Sequence, residues 1–175
     1  FADSGLTGIE IPGSVTKIEG SAFANCPLET LTIENGVQTI GYGAFSYTAL
    51  SSLTLPDSVT LIEDNAFLGC ENLASVDLPD TDVSLGAHAL DGTSWFNSQP
   101  EGVVYTDRVL YRQKGDILTD TTVTVNDGTL AIADHAFKNG GPSASGAAGS
   151  DYNLAGLTGV QLPDGVLRIG DNAFA

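Results

Sequence analysis

One short pattern recurs along the chain and constrains its fold more than any other feature. An apolar residue, three small or polar residues and an Ala-Phe pair stand at 18–23, 40–45, 62–67, 132–137 and 169–174. With Phe1 as the first marker and Leu90 as a substitute for phenylalanine, successive markers are 22, 22, 22, 23, 47 and 37 residues apart. A period of 22 to 23 residues is typical of a solenoid, whose coils bury their apolar faces by stacking on one another.

Each repeat starts with a short run of alternating apolar residues, which predicts a strand buried on one side. These runs lie at 8–11, 30–33, 52–55, 75–78, 122–125 and 159–162. A hinge residue follows each run, and the marker always comes 11 residues after the hinge, whereas the distance from marker to next hinge varies from 11 to 36 residues. All insertions therefore fall in one connection, and we expect them to loop out from one edge of the solenoid. Phenylalanines of neighbouring coils are then expected to stack and fill the core.

The stretch LTLPDSVTLIEDNAFLGCENL, residues 53–73, closely resembles the BspA-like leucine-rich repeat of secreted and surface proteins of bacteria. The signature L-x-L-P-x-x-V-x-x-I-x-x-x-A-F extends, with variations, over nearly the whole chain. The resemblance implies a right-handed leucine-rich-repeat solenoid of the α/β class, with a parallel sheet on one face and short turns or secondary strands on the other. It also implies a cell-surface or secreted location and a role in adhesion or recognition. We expect about six repeats in a single domain over residues 1–175, as a fragment of a longer chain.

The longest interruption, residues 94–119, is predicted to be a β-hairpin insertion. Two β-rich runs flank a Thr-Asp turn in GVVYTDRVLYR, residues 102–112, and a similar insertion recurs in the family that the chain resembles. Aromatic and basic side chains on a projecting hairpin are suited to binding a glycan or an acidic protein. The candidates are Trp95, Tyr105, Arg108, Tyr111 and Arg112. The alternative is structural, with the aromatic residues fastening the hairpin to the solenoid and the basic residues balancing its acidic surroundings.

The outward side chains of the predicted strands form a second candidate surface. Its members include Thr32, Thr54, Asp77 and Thr124. This face is smooth, rich in hydroxyl groups and slightly acidic, and solenoids often recognise partners with such a surface. It carries none of the Trp, Tyr or Arg residues that dominate interface energetics, so a merely solvated face is the alternative. A second insertion, residues 139–153, is rich in Gly, Ser and Ala and is predicted to be a flexible loop.

Three sets of potential metal ligands favour structural roles. Cys26 and Cys70 lie at equal positions two coils apart, too far for a disulfide, so we predict free and buried thiols. His88 and His135 share the position before the Ala-Phe pair, where a two-histidine metal site is geometrically possible. A column of turn residues offers oxygen ligands for calcium, although turn formation explains the same residues. That column consists of Asn35, Asp57, Asp80, Asp127 and Asp164.

Composition and motifs exclude several classes of function. The formal net charge of −16 disfavours nucleic acids and anionic membranes as partners. No apolar run approaches the roughly 18 residues of a membrane span, so we expect no membrane insertion within this segment. Nucleophile-elbow, phosphate-loop and zinc-protease motifs are missing from the sequence, which predicts a protein that is not an enzyme.

These observations favour a bacterial cell-surface or secreted binding module, acting in adhesion without a cofactor. The expected partner is a protein or glycan on the surface of a host or neighbouring cell. Two alternatives stay open at this point. One is a structural spacer that holds another domain away from the cell wall, and the other is a carbohydrate-binding accessory domain of a larger surface enzyme.

Overall fold

The chain folds into a solenoid of stacked coils, each with one longer and one shorter strand. The computed structural model describes residues 1–138 and 153–174, so the predicted loop at 139–153 lies outside the described residues except for Asn153. The longer, primary strands are β1 (Gly8–Ile11), β3 (Thr30–Ile33), β5 (Ser52–Thr54), β7 (Ser75–Asp77), β11 (Thr121–Thr124) and β13 (Leu157–Gln161). The two-residue secondary strands are β2 (Lys17–Ile18), β4 (Thr39–Ile40), β6 (Leu61–Ile62), β8 (Ser84–Leu85), β12 (Ala131–Ile132) and β14 (Arg168–Ile169). The predicted solenoid with parallel strands is confirmed.

Equal positions of neighbouring coils pair in parallel register. The secondary strands β2, β4, β6 and β8 form one continuous four-stranded sheet. The primary strands form three separate two-stranded sheets, β1–β3, β5–β7 and β11–β13, instead of the single sheet that the sequence predicts. The gap between β7 and β11 has a cause, because the hairpin insertion enters the stack there. Nothing in the structure explains the gap between β3 and β5.

The marker phenylalanines stack through the core as predicted. Ring centroids of Phe1, Phe23, Phe45 and Phe67 are separated in turn by 5.5, 5.2 and 5.4 Å, and neighbouring rings are tilted by no more than 7°. Phe45 and Phe67 are fully buried, and so are the alanines that precede them. A side chain larger than alanine would collide with the neighbouring coil at those positions, because protein interiors are close-packed.

Two positions of the marker turns have left-handed backbone wherever the structure describes them. The first, two residues before the marker, has φ between 52° and 60° at Ser21, Gly43, Asn65, His88, His135 and Asn172. The second, two residues after the marker, has φ between 58° and 75° at Asp3, Asn25, Tyr47, Gly69 and Gly92. Gly, Asn, Asp and His enter this region more readily than other residues. The backbone therefore accounts for the two histidines without any metal.

The hairpin insertion is part of the solenoid and does not project from it. It consists of a short helix, α1 (Ser94–Ser98), and two strands, β9 (Gly102–Thr106) and β10 (Val109–Lys114). β10 pairs antiparallel with β9 and also parallel with β12, so the sheet order is β14-β12-β10-β9. The expectation of a looped-out hairpin is wrong for this reason: the apolar pair Val109 and Leu110 is buried in register with Ala131 and Ile132. β10 thus takes the place of a secondary strand.

Candidate functional site

A buried polar network joins the insertion to the fourth coil. The carboxylate of Asp91, which follows the marker Leu90, accepts a hydrogen bond of 2.6 Å from the hydroxyl of Tyr111 and one of 2.9 Å from Nη1 of Arg112. The same Nη1 lies 2.8 Å from Nδ1 of His88, and the Tyr111 hydroxyl accepts a bond from the Leu90 amide. Asp91, Tyr111 and Arg112 are each at least 95% buried. An arginine keeps its charge even when buried, so Asp91 supplies the charge that it needs.

Charge and burial shift the pKa values in this network. Burial alone would raise the pKa of Asp91, but the hydrogen bond from His88, the charge of Arg112 and the hydrogen bond from Tyr111 together lower it. Burial, together with the adjacent Asp91 carboxylate, raises the pKa of Tyr111 well above its ordinary value. Asp91 is therefore ionised and Tyr111 neutral over the physiological range. The network holds a fixed ion pair, and we assign it a structural role.

The helix α1 and β10 fasten the rest of the insertion. Trp95 is half-buried, with its ring 6.2 Å from that of Tyr111, and its amide donates to the carbonyl of Leu73. Phe96 is buried and packs edge-on against Tyr111 at 5.5 Å. Nζ of Lys114 donates to three carbonyl oxygens at the end of α1, which is a common stabilising interaction at a helix C-terminus.

The burial of Tyr111 and Arg112 corrects their assignment as residues that contact a partner. Both side chains are engaged inside the protein and leave no exposed group. Trp95 is half-buried against the core, so it offers a partner only part of its ring. Of the hairpin candidates, Arg108 is exposed and Tyr105 is half-buried, with its hydroxyl accepting from the amide of Asn126.

The tip of the hairpin is docked at the corner where the primary strands end. Asp107 accepts a hydrogen bond from the amide of Leu78, which follows β7, and Tyr105 accepts one from Asn126, just after β11. The carbonyl of Arg108 accepts bonds from Leu130 and Ala131 at the start of β12. The exposed Arg108 is in register with Leu130, so it lies at the end of the turn that leads from β11 into β12.

The strand-face candidates are exposed, as the alternating pattern predicts. Thr32, Thr54, Asp77 and Thr124 all point away from the core. Thr32 pairs with Glu10, Thr54 with Asp77 and Thr124 with Gln161, so the outward column follows the sheet register. The structure brings Asp77 and Thr124 to either side of the hairpin tip, at the ends of β7 and β11. It does not bring Thr32 near the insertion, because β3 belongs to an earlier coil.

The prediction of free, buried cysteines is confirmed. Cys26 and Cys70 are buried, free thiols, and burial raises the pKa of the Cys70 thiol. The rings of His88 and His135 lie 6.3 Å apart, and Nδ1 of His88 is occupied by Asp91 and Arg112. Among residues 1–138 and 153–174, no group of three or more His, Cys, Asp and Glu side chains is suited to hold a metal ion.

The buried ion pair could have been found from one column of the sequence. The residue directly after the marker is Ala24, Ser46, Leu68 and Asp91 in successive coils, and all four are buried. An aspartate in a column of small and apolar residues needs a cationic or hydrogen-bonding partner, since a buried charge without one is strongly unfavourable. Arg112 is the residue that meets this need.

Comparison with known proteins places the chain in a family. The model of the BspA type leucine-rich repeat region matches residues 1–99 with six copies. A leucine-rich repeat protein from Bacteroides ovatus is 25% identical, with a TM-score of 0.54, over 98% of this chain and 46% of that one. Two further structures are less similar. The pneumococcal vaccine antigen PcpA is 20% identical with a TM-score of 0.49, over 97% of this chain and 48% of its own. A leucine-rich repeat protein from Eubacterium ventriosum is 19% identical with a TM-score of 0.43, over 97% of this chain and 45% of its own.

The chain thus spans about half the length of the solved structures that it matches. No curated protein sequence matches it significantly. In the part of the chain that the structure describes, no helix is both long and apolar enough to cross a membrane. The repeat spacing, the solenoid and the family match agree, and the chain belongs to the BspA type leucine-rich repeat family.

Proposed function

We propose that the chain is a bacterial surface or secreted module that binds a protein or glycan partner through its solenoid surface. Binding requires no cofactor and no chemical step. Residues 1–175 act in this proposal as a single domain. The partner lies on the surface of a host or neighbouring cell, as expected for an adhesive module.

One observation carries the proposal. An exposed arginine stands beyond the carboxyl ends of the hydroxyl-rich primary strands, on a hairpin tip that contacts the residues after β7, after β11 and before β12. The Asp107 carboxylate, the Tyr105 hydroxyl and the Arg108 carbonyl accept hydrogen bonds from Leu78, Asn126 and Leu130, so the backbone at Arg108 loses less conformational entropy on binding than that of a free loop. Arginine is also among the residues that contribute most to binding at interfaces. Asp77 and Thr124, at the ends of the flanking strands, supply polar contacts around it.

The acidic composition of the chain limits the kind of partner surface that it can bind. With 22 acidic and 6 basic residues, the protein attracts basic surfaces, repels strongly anionic ones and is compatible with neutral ones. We therefore expect the partner to present mainly neutral or basic groups to the strand face. It would also present one carboxylate or one cluster of hydroxyl groups to Arg108.

The test is a binding screen with matched variants. The purified chain is screened against extracellular-matrix proteins and a glycan array, and each hit is measured again with Arg108→Ala and Thr54→Arg. The controls are Arg168→Ala, an exposed arginine of the secondary strand β14, and Asn97→Arg, which adds an arginine at an exposed residue of the helix α1. Loss of binding in the first two variants with retention in the controls supports the proposal.

Two other outcomes contradict it. A hit that binds all four variants equally moves the binding site away from the strand face and hairpin tip. A chain that binds nothing in either screen acts as a spacer. An accessory carbohydrate-binding role predicts hits among plant or microbial polysaccharides instead of host or cell-surface ligands.

A further inference from the structure

A surface cleft lies beside the marker turns of the first, second and third coils, and neither Arg108 nor the outward strand column lines it. It has a volume of about 450 Å³, and its walls include Asn25, Tyr47, Gly69, Glu71 and Asn72. A smaller cleft of about 290 Å³ continues it toward the primary strands and shares Ala49 and Asn72 with it. Both clefts lie on the connection that precedes the primary strands.

Tyr47 has a backbone conformation that a tyrosine rarely adopts. Its φ is +58°, and the equal positions of the other described coils are occupied by Asp, Asn, Gly and Gly, which tolerate this region. Left-handed backbone at a bulky residue is unfavourable by about 1 kcal/mol or more. Burial does not offset this, because Tyr47 is 52% exposed. Strain of this kind at an exposed aromatic residue points to a functional constraint.

The ring of Tyr47 is held in place over a glycine. A Cβ atom on Gly69 would lie 2.5 Å from Cδ1 and Cε1 of Tyr47. The ring can therefore occupy this position because Gly69 has no side chain. Gly92, at the same position of the next coil, packs closely against the backbone of Gly69, since a Cβ atom on it would lie 3.2 Å from the Cα atom of Gly69. One ring edge therefore packs on backbone, while about half of the side chain is open to solvent in the cleft.

The other walls offer hydrogen-bonding groups without positive charge. Asn25 donates Nδ2 to Asp3, which orients its amide and leaves its carbonyl oxygen as an acceptor. Glu71 and Asn72 are both exposed at the rim. Carboxylate and amide groups next to an aromatic ring suit a ligand that has an apolar face and several hydroxyl groups. Glu71, and Glu29 in the adjoining cleft, disfavour an anionic ligand.

We propose that this cleft binds a neutral saccharide. The Tyr47 ring packs against the C–H face of a pyranose, and Asn25, Glu71 and Asn72 bond to its hydroxyl groups. The smaller cleft accommodates a second sugar unit. The inference goes beyond the proposed function, because the cleft contains neither Arg108 nor the outward strand residues, and either site can exist without the other.

The experiment is saturation-transfer NMR of the whole 175-residue chain with methyl glycosides of glucose, galactose, mannose and N-acetylglucosamine and their disaccharides. We expect saturable binding of at least one probe with a Kd on the order of 1 mM, in keeping with an open cleft. Tyr47→Asn is expected to weaken that binding at least about tenfold, while the chain stays folded, because Asn tolerates positive φ. Asn72→Ala is expected to weaken it about threefold to fivefold.

The matched control is Tyr42→Asn, which removes another exposed tyrosine of the same turn outside this cleft. It is expected to leave saccharide binding unchanged. The proposal is overturned if no probe binds saturably, or if Tyr47→Asn binds as the wild type does. A lysine-rich peptide that binds at Tyr47 while every saccharide fails would also overturn it, since Tyr47 and Glu71 would then recognise a cation.

Discussion

The first four coils and the insertion that follows them hold the same solenoid together in different ways. In residues 1–85, equal positions carry similar apolar side chains, and phenylalanine packs on phenylalanine with centroids 5.2 to 5.5 Å apart. Between Leu90 and Phe137 that column is interrupted. Its place is taken by Tyr111, a half-buried Trp95 and the ion pair of Asp91 with Arg112.

The difference separates two kinds of specificity. A phenylalanine can stack on the phenylalanine of any other regular coil. The phenylalanine column therefore stabilises the repeats but does not determine the order in which they stack. The ion pair is specific, because the buried carboxylate of Asp91 needs a cationic partner. Among the described residues, Arg112 is the arginine that is buried beside it. We infer that the network sets where the insertion enters the stack.

The largest expected effect follows from breaking the network. Asp91→Ala leaves the Arg112 charge and the Tyr111 hydroxyl buried without their acceptor, and we expect it to lower the free energy of unfolding by about 4 kcal/mol. The measurement is urea denaturation at neutral pH. As a control, the triple variant Asp91→Leu, Tyr111→Phe and Arg112→Met is expected to recover most of the loss, because an apolar set replaces the whole network. Additive effects of the three single substitutions would contradict the account.

The next effect comes from the phenylalanine column. Phe45→Ala removes a fully buried ring with a neighbour on either side, and we expect a loss of about 3 kcal/mol in the free energy of unfolding. Phe1→Ala, at the 77% exposed end of the same column, is expected to change it by less than about 1 kcal/mol. Equal effects at the two positions would show that the column is not a packed stack.

A smaller effect is expected from pH. Burial, the charge of Lys138 and that of His88 lower the pKa of His135, so the folded state disfavours its protonation. This contribution to stability is present above the ordinary histidine pKa of about 6.5 and is lost as the pH falls below it toward the lower folded value. His135→Asn keeps a residue that tolerates positive φ and is expected to remove this part of the acid sensitivity. The check is the midpoint of thermal unfolding measured from pH 8 to pH 5 for both proteins, and identical pH profiles would contradict the prediction.

The smallest effect on stability is expected at the hairpin tip. Arg108→Ala removes an exposed side chain and is expected to change the free energy of unfolding by less than about 0.5 kcal/mol. Arg112→Ala, four residues away, is expected to destabilise the protein by several times as much, since it leaves Asp91 buried without its counter-charge. Urea denaturation of both variants side by side provides the check. A similar loss in both would mean that Arg108 is structural and unsuited to a binding role.

Much of the fold could be predicted from the sequence, because every regular coil of a solenoid repeats the same pattern of strands and turns. The spacing of 22 to 23 residues between markers indicated the length of a regular coil, and the alternating runs predicted the strands. The fate of the insertion could not be predicted in this way, because it occurs once and has no repeat to compare with. Val109 and Leu110 imitate a secondary strand, yet their position in the sheet depends on a tertiary partner, Asp91, that lies 18 and 19 residues earlier.

The candidate binding residues were less predictable than the fold. Aromatic and basic side chains suggest an interface when they are exposed and a core when they are buried, and residue type alone does not distinguish the two. Tyr111 and Arg112 turned out to be buried, while Arg108 is exposed. The strained Tyr47 carried no signal in the periodic pattern, since its meaning depends on a backbone angle that the sequence does not state.

Amide hydrogen exchange at the contacts of β10 tests most directly whether this strand is hydrogen-bonded into the solenoid as a secondary strand. The amides of Ala133 and Gln113 bond across the junction, to Leu110 and Ala136 respectively. If β10 replaces a secondary strand, these amides will be protected to the same extent as those of Phe45 and Phe67, which bond to the next coil in the regular region. Exchange at rates close to those of an unstructured chain, with Phe45 and Phe67 still protected, would mean that the hairpin is a detached arm and would contradict the account.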